Sequence, residues 1–167
     1  LIVLACAWLY LGIELEGFLN RLDPVALAPV SERARSIHAS SFVADLHADS
    51  LLFERNLLVR GRLGHVDLPR LREGGVALEV FGLPTTVYFG TNIDRTRSEG
   101  LDALTVAGIA RLSPTAWQGP TARALRHALR MDGFARDSGG RLVLVRDRAD
   151  LVALQRARER GEDRIGA

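Results

Sequence analysis

The sequence has no lysine; all 22 of its basic residues are arginine. That absence reads first as the bias of an arginine-rich coding genome. There is a single cysteine, Cys6. An internal disulfide framework is therefore excluded, as is a cysteine-based structural zinc site. Any metal must be held by His and carboxylates. Low-complexity tracts are missing too, and the 6 prolines and 16 glycines are dispersed, so no flexible linker announces itself. No GxGxxG follows a strand and no P-loop is present, which leaves nucleotide binding without support. Nor is there a stripe of one charge. The formal net charge is +2, with arginines interleaved among acids, as at Asp147-Arg148 and Arg158-Glu159-Arg160. A phosphate-binding surface needs a basic stripe with few acids in it, so nucleic acid is not an expected partner. These charges read as solvated helix faces.

What is present is a globular composition. The chain has 167 residues, 47% hydrophobic and 25% charged, enough for one domain with a sizeable core. Residues 1–13 are apolar throughout, and Glu14 is the first charge. A membrane span needs about 20 apolar residues, so this shorter run reads as a truncated membrane anchor or a signal segment. Trp8 and Tyr10 suit an interfacial position. A buried helix is the competing reading. With an anchor, the domain would face the periplasm or cell exterior; without one, a cytoplasmic location is expected. Residues 14–35, broken by Pro24 and Pro29, form a connector. Residues 36–167 form the domain. Its last residues, Asp163-Arg164-Ile165-Gly166-Ala167, read as the entry into a strand, so the chain is expected to be a fragment.

Within the domain, helices and strands alternate. A short helix is expected over 31–40, then a buried strand over 42–47 and a helix-like stretch over 51–58. Asp67 is a ready N-cap, with Pro69 in the first turn and Gly74 able to close a short helix. A strand follows over 76–83. Helical spacing recurs over 99–112, with Leu101, Leu104, Ile109 and Leu112 near one face and Pro114 as the stop. It recurs over 121–136, with Leu125, Leu129 and Phe134 as candidate core contacts and Gly139-Gly140 as the stop. A third strand is expected over 141–145, a helix over 149–160 capped by Asp147, and a fourth strand after Gly161. This order predicts an α/β fold built from parallel βαβ units. Alternation alone does not separate a doubly wound sheet from a (β/α)8 barrel.

The chemistry concentrates in Asp45-Leu46-His47-Ala48-Asp49. In a strand, residues two apart share a face, which predicts Val43, Asp45, His47 and Asp49 on one side. Three polar groups on one face of an apolar strand are costly to bury without partners, and a bound cation is one way to satisfy them. Imidazole nitrogen and carboxylate oxygen both suit zinc. The competing reading makes Asp45 or Asp49 a cap of the following helix. Position favours the metal, because the triplet lies at the carboxyl end of a strand, where barrel enzymes place their chemistry.

The triplet is similar to the first-strand metal motif of the amidohydrolase superfamily. An acid in place of a second His resembles its membrane (renal) dipeptidase branch. Phe42-Val43-Ala44-Asp45-Leu46-His47-Ala48-Asp49 resembles that family's hydrophobic–D–G–H–N–D strand, with Leu46 in place of the usual Gly and Ala48 in place of the usual Asn. The run from His65 to Val76, HVDLPRLREGGV, resembles its H-T-D-(I/L)-P-(R/K)-L-R-x-G-x-V segment and is the more specific of the two. The stretch 88–118 is longer than in mammalian members and resembles bacterial ones with an insertion there. The likeness covers about residues 36–167. It implies the first part of a (β/α)8 TIM-type barrel of the metal-dependent hydrolase kind, which needs ~250 residues in full. It also implies a zinc-dependent dipeptidase acting on L,L and L,D dipeptides through water activated between two zinc ions.

Carried over residue by residue, His47 and Asp49 match the ligands of the first zinc. The carboxylate that bridges the two ions would lie past Ala167 in the strand that starts at Gly166, and the remaining ligands and catalytic groups later still. By that argument the fragment holds metal: His47 and Asp49, with no catalytic residue of its own, and is inactive alone. Asp45 is expected in a supporting role that orients His47, or as a capping Asp. His65 is read as structural, His38 and His127 as surface or packing residues, and Arg70 and Arg72 as solvated or salt-bridged. Glu79 either points into the barrel near the metals or pairs with an arginine. Membrane anchoring and homo-oligomerisation remain compatible. The alternatives are another metal-dependent amidohydrolase, or a membrane-tethered binding domain without catalysis.

Overall fold

The computed structural model describes residues 16–23, 25–26, 28–110 and 118–167. The apolar run 1–13, Pro24, Leu112 and Pro114 lie outside the described residues. No helix among the described residues is long and apolar enough to cross a membrane. The chain divides into two compact units, Leu1–Arg21 with Leu83–Leu129, and Leu22–Gly82 with Arg130–Ala167.

The second unit holds a four-stranded, wholly parallel sheet in the order β1-β2-β4-β3. The strands are β1 (Val43–Ala48), β2 (Val76–Phe81), β3 (Leu142–Val143) and β4 (Ile165–Gly166). Mixed α/β architecture with a parallel sheet is as the alternation predicts. The order of strands departs from chain order at one place, where β4 lies between β2 and β3. Gly166 permits that close packing: a β-carbon there would lie 2.6 Å from Leu154 Cδ2 and 2.7 Å from Leu78 Cδ1.

Helix α1 (Glu32–Ser40) starts where the Ser31 hydroxyl accepts the Ala34 amide at 3.2 Å. Its far end is tied to the turn that precedes β2, because the His38 ring donates from Nε2 to the Gly74 carbonyl at 2.9 Å. Helix α2 (Leu68–Glu73) is punctuated as its sequence predicts. The Asp67 carboxylate caps it by accepting the Arg70 amide at 3.0 Å, Pro69 lies in the first turn, and Gly74 is the C-cap. The turn into β2 is made by Gly75, whose φ of +67° favours glycine. Asp67 is buried and does more than cap. It accepts the Gly61 amide at 3.1 Å and forms an ion pair with Arg70, whose guanidinium also donates to the Gly61 carbonyl at 2.8 Å. Arg72 pairs with Asp163.

Three expectations are corrected here. The stretch 51–58 is not a helix: only Ser50–Leu52 makes a 3-10 turn. Its carbonyls find another donor instead. Arg130 donates to the carbonyls of Leu51, Phe53 and Arg55 at 2.6, 2.9 and 3.1 Å, while Leu51 and Leu57 enter the core with Leu68, Leu71, Met131, Leu142 and Ile165. Apolar spacing there served burial rather than helix. Next, β1 is not a buried strand. Among the described residues it pairs only with β2, and from Ala44 to His47 it is exposed, with Leu46 at 72%. Finally, helix α4 (Gly119–Asp137) turns a different face inward from the one its leucines predict. Leu125 and Leu129 are exposed, whereas Arg123, His127 and Met131, spaced four apart, are buried. Helix α5 (Arg148–Glu159) begins at the predicted cap, with the Asp147 carboxylate accepting the Asp150 amide at 3.0 Å.

In the first unit, the loop after Leu83 is closed at its base. Phe89 donates to the Leu101 carbonyl at 3.1 Å and Ala103 to that of Val87 at 2.7 Å, while Ile93 projects fully exposed between the paired Asn92 and Arg95. The predicted helix near 99–112 is α3, Ala103–Ala110 as far as it is described, and Leu101 lies before it, exposed. Asp102 anchors this corner. Burial opposes its charge, but the Val87 amide, Thr105 hydroxyl, Arg123 guanidinium and Leu104 amide outweigh burial and hold the carboxyl at about 2.

The Asp67 hub gives a stability prediction. Asp67→Ala removes a cap and strands a part-buried arginine, and is expected to lower unfolding free energy by about 3 kcal/mol in urea titration. A loss under about 0.5 kcal/mol, the size of an ordinary surface change, would contradict the central role given to this carboxylate.

Candidate metal centre

His47 and Asp49 stand at the carboxyl end of β1, the edge of a parallel sheet at which ligands gather in α/β proteins. His47 Nε2 lies 3.3 Å from Asp49 Oδ1, and both side chains are open to solvent, at 71% and 48% exposure. The end of β2 makes room for them. Gly82 donates its amide to the Ala48 carbonyl at 2.9 Å, which brings the two strand ends together. A β-carbon on Gly82 would collide with Asp49 Oδ1 and stand 3.2 Å from His47 Cε1. The space over Gly82 is therefore a cradle that any side chain would fill. Sequence reading missed this glycine, although its place directly after a strand facing the motif was a usable signal.

The alternation expected along β1 does not hold through the site. Asp45 pairs with Glu79 and Ala48 with Phe81, so three residues of β1 cover the step that two residues of β2 cover. This extra residue is a bulge, and bulges re-aim side chains. It parts Asp45 from the His47–Asp49 pair. Asp45 supports His47 through the backbone rather than the ring: its Oδ1 accepts the His47 amide at 3.1 Å. The imidazole partner is Asp49. Among the described residues no group of three or more His, Cys, Asp or Glu is placed to hold one metal ion.

Glu79 is the outlier of the sheet. It is completely buried, and neither carboxylate oxygen has a hydrogen-bond partner. The alternative of an arginine pairing is thus not what the structure contains. Burial, with a smaller contribution from the Asp45 charge, pushes its carboxyl up to about 7. His65 is exposed, His38 is exposed and bonded to Gly74, and His127 is buried in α4.

No protein-family model, no curated protein and no solved structure matches this chain.

The raised Glu79 carboxyl has a pH signature in the metal-free protein. Between its ordinary value of 4.5 and about 7, the folded chain keeps a proton that the unfolded chain has released. Stability therefore falls as pH rises through that window, by on the order of 3 kcal/mol. Glu79→Gln removes this contribution. Urea unfolding is expected to show the variant clearly more stable than wild type at pH 8 and nearly equal to it at pH 4.5. The same gap at both pH values would contradict the raised carboxyl.

Proposed function

We propose that this chain supplies the first metal-binding strand of a zinc-dependent dipeptidase of the membrane dipeptidase kind. The observation that carries the reading is the His47–Asp49 pair at the carboxyl end of a parallel strand, over a glycine that clears its space. The donor chemistry fits zinc, which takes imidazole nitrogen and carboxylate oxygen. The HVDLPRLREGGV segment adds to it, since its Asp, Pro and Gly carry the punctuation of α2 that leads into β2.

The chain's own residues have separable tasks. His47 offers Nε2, and Asp49 offers a carboxylate from the same strand end. The pair spans 3.3 Å, close enough for both donors to face one ion. Asp45 fixes the backbone of His47 and so the direction from which its ring approaches. Gly82 keeps the space open and ties β1 to β2 at that level. When bound, zinc lowers the pKa of a coordinated water towards 7 and polarises the scissile carbonyl. A catalytic zinc usually takes three protein ligands and an open position, so two donors bind metal without forming an active site. The hydrolytic activity is accordingly proposed for a protein that adds the later ligands of the family pattern.

The finer fold belongs to the same proposal. In a (β/α)8 barrel, neighbouring strands follow chain order. The β1–β2 pair follows chain order, whereas β4 lies beside β2 with β3 on its far edge.

The test is an assay of the full reading frame containing this chain against a panel of L,L and L,D dipeptides, with zinc supplied or chelated. Zinc-dependent hydrolysis is expected, falling by roughly 10³-fold or more in His47→Ala and in Asp49→Ala, because removing a ligand removes the Lewis acid. Gly82→Val, which keeps both donor residues but presses on the Asp49 carboxylate, is expected to weaken zinc retention. Hydrolysis of cyclic amides instead of dipeptides would move the protein to another amidohydrolase type. An absence of hydrolysis, with zinc content equal in all variants, would make the triplet structural and the chain a binding domain.

A further inference from the structure

The bulge in β1 leaves Asp45 and Glu79 as direct partners on neighbouring strands, apart from the His47–Asp49 pair. Strands in a sheet lie about 4.8 Å apart, so two in-register carboxyl side chains are close neighbours. Their surroundings differ sharply. Glu79 is completely buried with both oxygens unpartnered, while Asp45 is exposed. A cation held between two such side chains would satisfy both of them. No side chain provides it, since neither Glu79 oxygen has a partner and the sequence has no lysine. A buried polar atom left unsatisfied in a folded protein marks a place where an ion or water belongs.

We infer that Asp45 and Glu79 form a second cation subsite, one that takes a hard divalent ion such as Mg2+ or Mn2+. The donors are carboxylate oxygens only, and water would complete the coordination shell. Oxygen donors favour hard cations, whereas the imidazole of His47 favours zinc. The two subsites therefore differ in the metal they prefer. The ion reaches Glu79 from the exposed Asp45 side, and its charge offsets the cost of keeping Glu79 ionised in the interior. None of this depends on dipeptide hydrolysis.

Mn2+ is the probe. The metal-free chain is titrated with Mn2+, and free ion is followed by electron paramagnetic resonance. Wild type is expected to bind Mn2+, and Glu79→Gln and Asp45→Asn each to bind it at least about tenfold more weakly. His47→Ala is expected to leave Mn2+ affinity within about twofold while it loses zinc. Glu79→Gln keeps shape and volume, and circular dichroism checks that the variants fold. Unchanged Mn2+ affinity in both carboxamide variants would overturn the subsite. Failure of folded wild type to bind Mn2+ would overturn it as well. Loss of Mn2+ binding only in His47→Ala would assign the ion to the zinc pair and end the proposal, with the zinc reading intact.

Discussion

The one-residue slip between β1 and β2 at Asp45–Ala48 sets which polar side chains stand together at this strand end. Without it, Asp45, His47 and Asp49 would point the same way from one strand. With it, the solvent-facing His47–Asp49 pair is set apart from Asp45, the exposed neighbour of buried Glu79. The slip also places His47 and Asp49 at the level of Gly82, where the absence of a β-carbon gives them space. Everything that orients this ladder bears on the site. Asp67 holds α2 and the Gly61 loop, Gly75 turns the chain into β2, and His38 fastens α1 to the same turn. A small number of local polar contacts thus fixes where a strand with little burial of its own presents its donors.

Burial and charge are distributed unevenly across that sheet. Two other carboxylates withdrawn from solvent are met by donors: Asp67 has two amides and an arginine, and Asp102 has two amides, a hydroxyl and an arginine. Glu79 has none. The contrast separates carboxylates that hold the fold together from one that strains it. Polar groups left in that condition cost free energy, and they concentrate where a ligand supplies what the chain does not.

Local signals were legible in the sequence. The caps at Asp67 and Asp147, the turn glycines and the parallel βαβ alternation were each encoded within a few residues. So was the position of His47 and Asp49 at the end of β1. What was hidden depends on contacts far apart in the chain. The stretch 51–58 has apolar spacing suited to a helix, yet Arg130, more than 70 positions away, takes up its carbonyls. Leu125 and Leu129 look like core by hydrophobicity, but the buried stripe of α4 runs through Arg123, His127 and Met131. A bulge leaves no mark in a sequence read by strict alternation, so the parting of Asp45 from His47 was beyond reach. Glu79 was visible as a charge in an apolar strand, but the lack of any partner is a property of the packed molecule.

The central claim is that His47 and Asp49 together bind zinc. Zinc-edge X-ray absorption on the chain loaded with one equivalent of zinc tests it directly. The account predicts one imidazole nitrogen among the nearest ligands, with oxygen donors at about 2.0–2.2 Å and loss of the imidazole signal in His47→Ala. A shell of oxygens alone, or an imidazole signal that survives His47→Ala, would contradict it.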